Sequence, residues 1–217
     1  MSSLWHFLQT NHTEIEQWAG TTAWLTILPL IIGLALALPS GWLAARYRWV
    51  YTPLVGLTGL LYTIPSLVLF LVLPTILHTK LLDSINVGVA LTIYTYALLV
   101  RSVADGLTAV SAELLAAGAA MGQTTRQRLF ALQLPLAIPV IGAGLRVAAV
   151  SNVSLVSVAS VIGVPQLGQL FTLGDSTESL VPIELGLLFF VLLALIIDFV
   201  VLTVTRLATP WRRAVSS

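Results

Sequence analysis

Long stretches without a charged side chain constrain this chain more than any other feature of its sequence. Residues 17–45 contain no Asp, Glu, Lys or Arg, and neither do residues 49–79. A helix needs about 20 apolar residues to cross a hydrocarbon core about 30 Å thick. Each stretch is therefore long enough to span a bilayer, and the chain is expected to contact membrane lipid over much of its surface.

The composition excludes several classes of protein. Of the 217 residues, 58% are hydrophobic and 9% are charged, whereas a soluble domain carries about 25% charged residues. An ordinary soluble enzyme, a disordered protein and a disulfide scaffold are therefore excluded, and the net charge of +1 argues against a nucleic-acid partner. The chain has no cysteine, and its histidines (His6, His12 and His78) lie outside the apolar stretches, so no metal site is expected.

The apolar runs predict five membrane spans. They are placed at about residues 22–44, 53–77, 85–104, 136–160 and 183–207. Residues 105–134, between the third and fourth spans, carry charged residues and many alanines, which predicts a polar helical loop. The predicted fold class is thus all-α, a polytopic membrane helical bundle in which residues 1–217 form a single transmembrane domain.

The basic residues predict the orientation of the bundle. Five spans place the two termini on opposite sides, and positively charged residues concentrate on the cytoplasmic side. With the N-terminus outside, Lys80 alone falls on the outer side and eight arginines fall on the inner one. These are Arg46, Arg48, Arg101, Arg126, Arg128, Arg206, Arg212 and Arg213. The first apolar run is too long for a signal peptide and lacks a basic region before it, so a retained helix is expected.

The polar loop carries the strongest functional signal. Its alanine-rich part, residues 112–121, favours a helix, and Gly122 followed by Thr124 and Thr125 is typical of one helix ending and another beginning. A short helix of small residues can dock in a groove on a cytosolic partner. The alternative is a surface loop without a partner, and the composition alone does not decide between them.

The spacing in this loop resembles that of a known family. Ala116-Ala117-Gly118 and Gly122 are followed, after nine residues, by Leu132 and then Leu134-Pro135. This pattern resembles the EAA loop of ABC importer permeases, which docks on the ATPase subunit. The family's glutamate falls on Ala116, and Glu113 lies one helical turn upstream as a candidate substitute. The resemblance implies an ATPase-coupling role for Glu113, Ala116, Ala117, Gly118, Met121, Gly122, Arg126, Leu134 and Pro135.

Three further segments resemble the osmoprotectant branch of that family. They are residues 62–70 (YTIPSLVLF), residues 133–146 and residues 161–168. In the last of these, Val164 and Pro165-Gln166 replace two glycines of the family's pattern. The resemblance covers roughly residues 20–205. It implies the small type I importer permease fold, the cytoplasmic membrane of a prokaryote, and import of a compatible solute such as glycine betaine, carnitine or choline.

The resemblance also implies partners. They are a second permease chain (identical or paralogous), an external solute-binding protein and a cytosolic ATPase that binds the ATP and Mg. The glycine-rich phosphate loop ending in Gly-Lys-Ser/Thr is absent, so this chain is not expected to hydrolyse ATP. The resemblance implies a transport subunit that holds no cofactor and is not an enzyme. A methionine or other amino-acid importer is the near alternative. An ion-driven secondary transporter lacks support because no internal repeat is visible, and a membrane scaffold without transport function is the last alternative.

Two charged residues lie inside predicted spans. Arg146 falls in the fourth span and Asp198 in the inner half of the fifth. Each costs roughly 2.5–3.5 kcal/mol on insertion scales, so such residues usually face a partner or water. One hypothesis is that they pair. In the alternative, Arg146 extends to the membrane surface and Asp198 meets a backbone or hydroxyl donor.

Uncharged polar residues in the spans have two explanations. The fourth span carries Asn152 and several serines, including Ser154, which either line a translocation path or pack against other helices. Asn152, the largest of them, is the main candidate for the path. Pro65 and Ser66, near the middle of the second span, are added because a proline frees a backbone carbonyl and can kink its helix.

Overall fold

The chain is helical throughout its regular structure. The computed structural model describes residues 2–211, with side chains from Phe7 onward, and within them no β-strand occurs, so the all-α prediction is confirmed. Arg212 and Arg213 lie outside the described residues. The helices are α1 (Ser2–Arg46), α2 (Arg48–Thr63), α3 (Ser66–Leu77), α4 (Ser84–Thr108), α5 (Ala112–Ala120), α6 (Thr125–Arg128), α7 (Leu134–Val158), α8 (Gln169–Ser176) and α9 (Leu180–Leu207), with a π-helical turn at Leu129–Gln133 between α6 and α7.

Four helical stretches are long and apolar enough to cross a membrane. They are Phe7–Arg46, Ser84–Thr108, Thr125–Val158 and Leu180–Leu207. The α2–α3 pair passes the same test only when taken together, and its two helices are bent by 101°. The prediction of five spans agrees with this count when the bent pair is one span. The second predicted span is therefore a broken helix and not a continuous one.

The first helix extends well beyond its predicted span. Phe7–Arg46 comprises 40 residues, which is about 60 Å at 1.5 Å per residue and twice the thickness of a hydrocarbon core. The segment around Glu14 and Glu16 is exposed and helical. Apolar runs mark only the part of a helix that lies in the membrane, which is why the prediction began near residue 22. Within α1 the backbone departs from helical angles at Asn11 (φ −112°, ψ 15°) and not at its prolines.

The bend between α2 and α3 is held by the neighbouring helix α4. Pro65 has no N–H group, and the chain at Ile64 leaves the helical conformation (ψ 129°). The Tyr94 hydroxyl on α4 donates a hydrogen bond to the Ile64 carbonyl at 2.6 Å. The Tyr62 ring packs edge-on against Tyr94, with ring centroids 5.7 Å apart. The carbonyl freed at the break is therefore satisfied by another helix.

Helix α4 forms the centre of the bundle. It packs against α1, α2, α3 and α7, and residues such as Leu91, Leu99 and Val103 are fully buried on it. Gly33 on α1 lies directly over α4, where a Cβ atom would lie 2.5 Å from the Thr95 Cγ2 atom. Small residues at such contacts let two backbones approach closely, which is the usual basis of helix packing in membranes.

The segment between α7 and α8 is folded into the bundle. Val164 and Gln166, which depart from the family's glycine pattern, are fully buried. The Gln166 side chain accepts a hydrogen bond from the Gly168 N–H at 2.6 Å, and the Leu167 N–H donates to the Thr22 hydroxyl at 2.9 Å. The substituted side chains thus fill the interior and satisfy the local backbone. Helix α8 was not predicted, because its eight residues are too few to register as a span.

Basic residues gather at the end of the bundle that carries α5, which we call the loop end. Arg46 and Arg128 line one cavity of about 120 Å³ there, together with Leu115, Thr125 and Gln133. The C-terminal end of α1 and the start of the fourth membrane-spanning stretch therefore lie on the same side. This clustering agrees with the positive-inside pattern, while the outward position of the N-terminus remains a prediction.

Candidate coupling loop and membrane cleft

The predicted loop folds as a capped helix followed by a tight turn. The Ser111 hydroxyl accepts a hydrogen bond from the Leu114 N–H at the start of α5. At the other end, Gly122 adopts φ +79°, a left-handed conformation that glycine reaches without a Cβ clash. The Gln123 N–H then donates to the Gly118 carbonyl at 3.1 Å. The predicted end of one helix at Gly122 is confirmed.

The next helix begins with a reciprocal cap. The Thr124 hydroxyl accepts from the Gln127 N–H, and the Gln127 side chain accepts from the Thr124 N–H at 2.8 Å. From Thr125 the chain continues through the π-helical turn into α7 as one stretch. Leu134 and Pro135 lie inside this stretch, and the end of the loop near residue 134 stays a prediction. The π-helical turn ends at Gln133, two residues before Pro135, whose missing N–H interrupts the regular ladder.

One face of α5 is packed against the start of the fourth membrane-spanning stretch. Gly118 is buried, and a Cβ atom there would lie 2.9 Å from both the Leu132 Cδ1 atom and the Gln123 Oε1 atom. The Arg128 Nη1 atom donates to the Leu115 carbonyl at 3.4 Å. Helix α5 therefore rests directly on residues that continue into α7.

The other face of α5 is free in the single chain. Glu113, Ala116 and Ala117 are exposed, and their spacing of three and four residues places them on one side of the helix. Met121 and Phe130 are 72% and 67% exposed nearby. Apolar side chains that are exposed in this polar segment are typical of a protein interaction surface. Gly122 and Arg126 are exposed in the same region.

The structure separates the candidates for the translocation path. Asn152 is 1% exposed, and its amide nitrogen donates to the Thr95 hydroxyl at 2.8 Å. This position agrees with a role in helix packing, because the Asn152 side chain faces α4 inside the bundle and does not reach the surface. Ser154 is exposed on α7, Pro65 is exposed at the α2–α3 bend and Ser66 is half-buried beside it. These three stay predictions for the path.

The two intramembrane charges meet between α7 and α9. The Arg146 Nε atom donates to Asp198 Oδ1 at 2.6 Å, and the Nη2 atom donates to Oδ2 at 2.8 Å. This geometry is the bidentate form of the arginine–carboxylate interaction. It agrees with the hypothesis that the two charges pair, and not with the alternative in which Arg146 extends to the membrane surface. The side chains remain 41% and 26% exposed. They border an open cleft of about 490 Å³, lined also by Ala143, Val147, Val150 and Ser151.

Sequence reasoning missed two polar residues that organise the bundle. Thr95 pairs with Asn152, and Tyr94 caps the broken second span. Both lie in an apolar run where nothing local distinguishes them from residues facing lipid. A tyrosine predicted to lie in mid-membrane needs a partner for its hydroxyl, and that is the one signal that could have singled out Tyr94. Among the described residues, no group of three His, Asp or Glu side chains could hold a metal ion.

The fold defines the class of protein. The chain superposes on a chain of the MetNI methionine ABC transporter in an inward-facing conformation with a TM-score of 0.79. The match covers 92% of this chain and 98% of that one, at 21% sequence identity. The architecture is therefore that of a small type I ABC importer permease, as predicted.

The sequence comparisons identify the family. Residues 30–214 match the family described as "Binding-protein-dependent transport system inner membrane component". The chain is 33% identical over 209 residues to the osmoprotectant import permease protein OsmW of Salmonella typhimurium, covering 94% of this chain and 96% of that protein. It is 28% identical over 210 residues to the glycine betaine/carnitine/choline transport system permease protein OpuCB of Bacillus subtilis, covering 97% and 95%. The chain belongs to this family of inner membrane transport components.

Proposed function

We propose that this chain is the permease subunit of an ATP-driven importer for a compatible solute such as glycine betaine, carnitine or choline. The observation that carries the proposal is near full-length similarity to permeases of two bacteria, one named for osmoprotectant import and the other for glycine betaine, carnitine and choline. The likeness to a methionine transporter is one of fold, at 21% identity. This likeness therefore supports the assignment as an importer permease, but it does not favour methionine as the solute.

In this proposal the exposed face of α5 docks on a cytosolic ATPase. Two permease chains enclose the path, and an external binding protein delivers the solute. Closure of the ATPases on ATP moves α5, and the packing of Gly118 on Leu132 passes the movement to α7. The contact between loop and ATPase supplies the differential interaction that biases the conformational equilibrium. ATP and Mg are bound by the ATPase, and this chain performs no hydrolysis.

The proposed orientation has the N-terminus outside and the loop end in the cytoplasm. It is supported by the arginines gathered around α5, such as Arg46 and Arg128. Glu113 takes the place of the family's glutamate in this arrangement. It lies on the same exposed side of α5 as Ala116, one turn closer to the helix start.

Uptake of labelled glycine betaine at high osmolarity tests the proposal. Uptake should require both this chain and its ATPase, and Ala117→Asp should abolish it by placing a charge on the exposed face of α5 without straining the turn at Gly122. Gln17→Asp is the matched control, because Gln17 is exposed in the polar first part of α1, far from α5. If betaine is not taken up but the ATPase still binds, the transported solute would instead be an amino acid or another small molecule. Failure to recruit any ATPase would overturn the docking role of the loop.

A further inference from the structure

The outward surfaces of α7 and α9 differ in chemistry. On α9 the exposed residues are bulky and apolar, including Leu188, Leu195 and Phe199. On α7, between Ala143 and Ser154, the exposed residues are smaller: they are Ala143, Val147, Val150 and Ser154, and Ser151 is half-buried beside them. Bulky apolar side chains are compatible with lipid, whereas polar groups in spans face protein or water-filled cavities. The side of α7 that carries Arg146 and Ser154 therefore differs in chemistry from the lipid-compatible surface of α9.

The ion pair lies deep in the membrane on that same side. Asp198 precedes the end of α9 at Leu207 by nine residues (207 − 198), which is about 14 Å at 1.5 Å per residue. Since α9 has 28 residues and is longer than a hydrocarbon core about 30 Å thick, Asp198 falls within the inner half of that core. The Arg146 and Asp198 side chains are nevertheless partly exposed toward the cleft. Charges that are exposed at this depth require water or a polar partner in front of them.

The pair leaves hydrogen-bonding capacity unused. A guanidinium has five N–H donors, and Asp198 takes one from Nε and one from Nη2. The remaining donors of Arg146 can bind a second carboxylate without breaking the pair. Asp198 presents a fixed negative charge beside them. The methyl groups of Val147 and Val150 line the same cleft.

We propose that Arg146 and Asp198 form a binding site, within the translocation path, for a zwitterion that carries a carboxylate and a quaternary ammonium group. The solute's carboxylate accepts hydrogen bonds from Arg146. Its ammonium group lies against Asp198, with its methyl groups against the valines. The cleft of about 490 Å³ has room for such a small molecule and for water. This inference rests on the proposed function and adds the residues that contact the solute inside the membrane.

Cysteine labelling of the whole complex tests whether the cleft is open to water. The chain has no native cysteine, so Val150→Cys and Val147→Cys can be labelled directly with a trimethylammonium methanethiosulfonate reagent. Leu195→Cys is the matched control, because Leu195 is 61% exposed but lies on the bulky face of α9. We expect reaction at both valine positions and none at Leu195. Lack of reaction at both valine positions would overturn the proposal, because lipid or tightly packed protein would then cover the cleft.

Protection by solutes tests the contact itself. Glycine betaine should slow the labelling of Val150→Cys several-fold. Choline, which has the same ammonium group but no carboxylate, should slow it less, and sucrose at equal concentration should have no effect. Equal protection by choline and betaine would show that Arg146 does not bind the solute's carboxylate. Adding Arg146→Gln should abolish protection by betaine, whereas Arg101→Gln, on α4 and outside the cleft, should preserve it.

Uptake by the unaltered chain distinguishes failure of the proposed function from failure of the proposed intramembrane site. Without betaine uptake in reconstituted vesicles, the proposed function itself is wrong. With uptake but without protection at Val150→Cys, the importer assignment stands and the intramembrane site is wrong. If Arg146→Gln fails to assemble, the comparison of betaine with choline on Val150→Cys still decides the question, because it leaves the ion pair intact.

Discussion

The Tyr94 hydroxyl and the Ile64 carbonyl oxygen lie 2.6 Å apart and join α4 to the 101° bend between α2 and α3. Tyr94 is 3% exposed, so water cannot replace its hydroxyl. The bend is thus part of the tertiary packing, and its geometry depends on a residue 30 positions away.

Removing that hydroxyl should weaken the complex. Tyr94→Phe leaves the Ile64 carbonyl without its donor, and because this hydrogen bond is part-buried we expect a loss near the usual net contribution of about 0.5–1.5 kcal/mol. We expect a lower melting temperature for the purified complex. Tyr96→Phe is the control, since Tyr96 is half-buried on the same helix. Equal losses in the two variants would contradict the role assigned to Tyr94.

Enlarging Gly118 should uncouple ATP hydrolysis from transport. A leucine at this position must push the Leu132 and Gln123 side chains aside, and we expect this to shift α5 on the membrane-spanning helix. We expect the ATPase still to bind and the ratio of solute imported to ATP hydrolysed to fall by more than about tenfold. Ala119→Leu places the same side chain at an exposed neighbour and should keep the ratio. A normal ratio in Gly118→Leu would exclude this contact as the route of coupling.

Neutralising Glu113 should weaken the binding of the ATPase. An exposed charge pair contributes about 0.2–1 kcal/mol, so Glu113→Gln should reduce the affinity by up to about fivefold. Glu14→Gln is the matched control, since Glu14 is exposed on the polar part of α1. The affinity can be measured by titrating the reconstituted permease with ATPase. An unchanged affinity would mean that Glu113 does not replace the family's glutamate.

Replacing Asn152 should affect stability more than transport. The pair with Thr95 is buried, and hydrogen bonds between membrane helices contribute about 0.6 kcal/mol on average and up to about 1.7. Asn152→Val should lower the melting temperature, while folded complexes transport at nearly the normal rate. Adding Thr95→Val should recover part of the loss, because neither group is then left unpaired. A large fall in transport by stable Asn152→Val complexes would restore its role in the path.

Removing one charge of the Arg146–Asp198 pair should reduce assembly of the complex more than removing both charges. Arg146→Gln leaves Asp198 without its partner, and Asp198→Asn does the reverse. We therefore expect the double variant to assemble better than the sum of the single losses predicts. The amount of complex recovered after solubilisation measures this. Additive losses would show that the two charges act independently.

The sequence alone determined the parts of the structure that depend on local chemistry. A charged group in hydrocarbon is costly wherever it lies, so the uncharged runs marked the membrane spans. The cap at Thr124 and Gln127 and the turn at Gly122 likewise follow from residues a few positions apart. The spacing around Gly118 and Pro135 was enough to predict the family.

Only the tertiary structure decided which partner each polar group in the membrane meets. Asn152 and Arg146 lie on the same helix, six residues apart in the chain (152 − 146), yet one is buried against Thr95 and the other opens onto a cleft beside Asp198. Their sequence context does not distinguish them, because the environment of a helix face is set by the neighbouring helices. The same reason explains the bend at Pro65: a proline permits a break, but Tyr94 on α4 supplies the hydrogen bond that holds it.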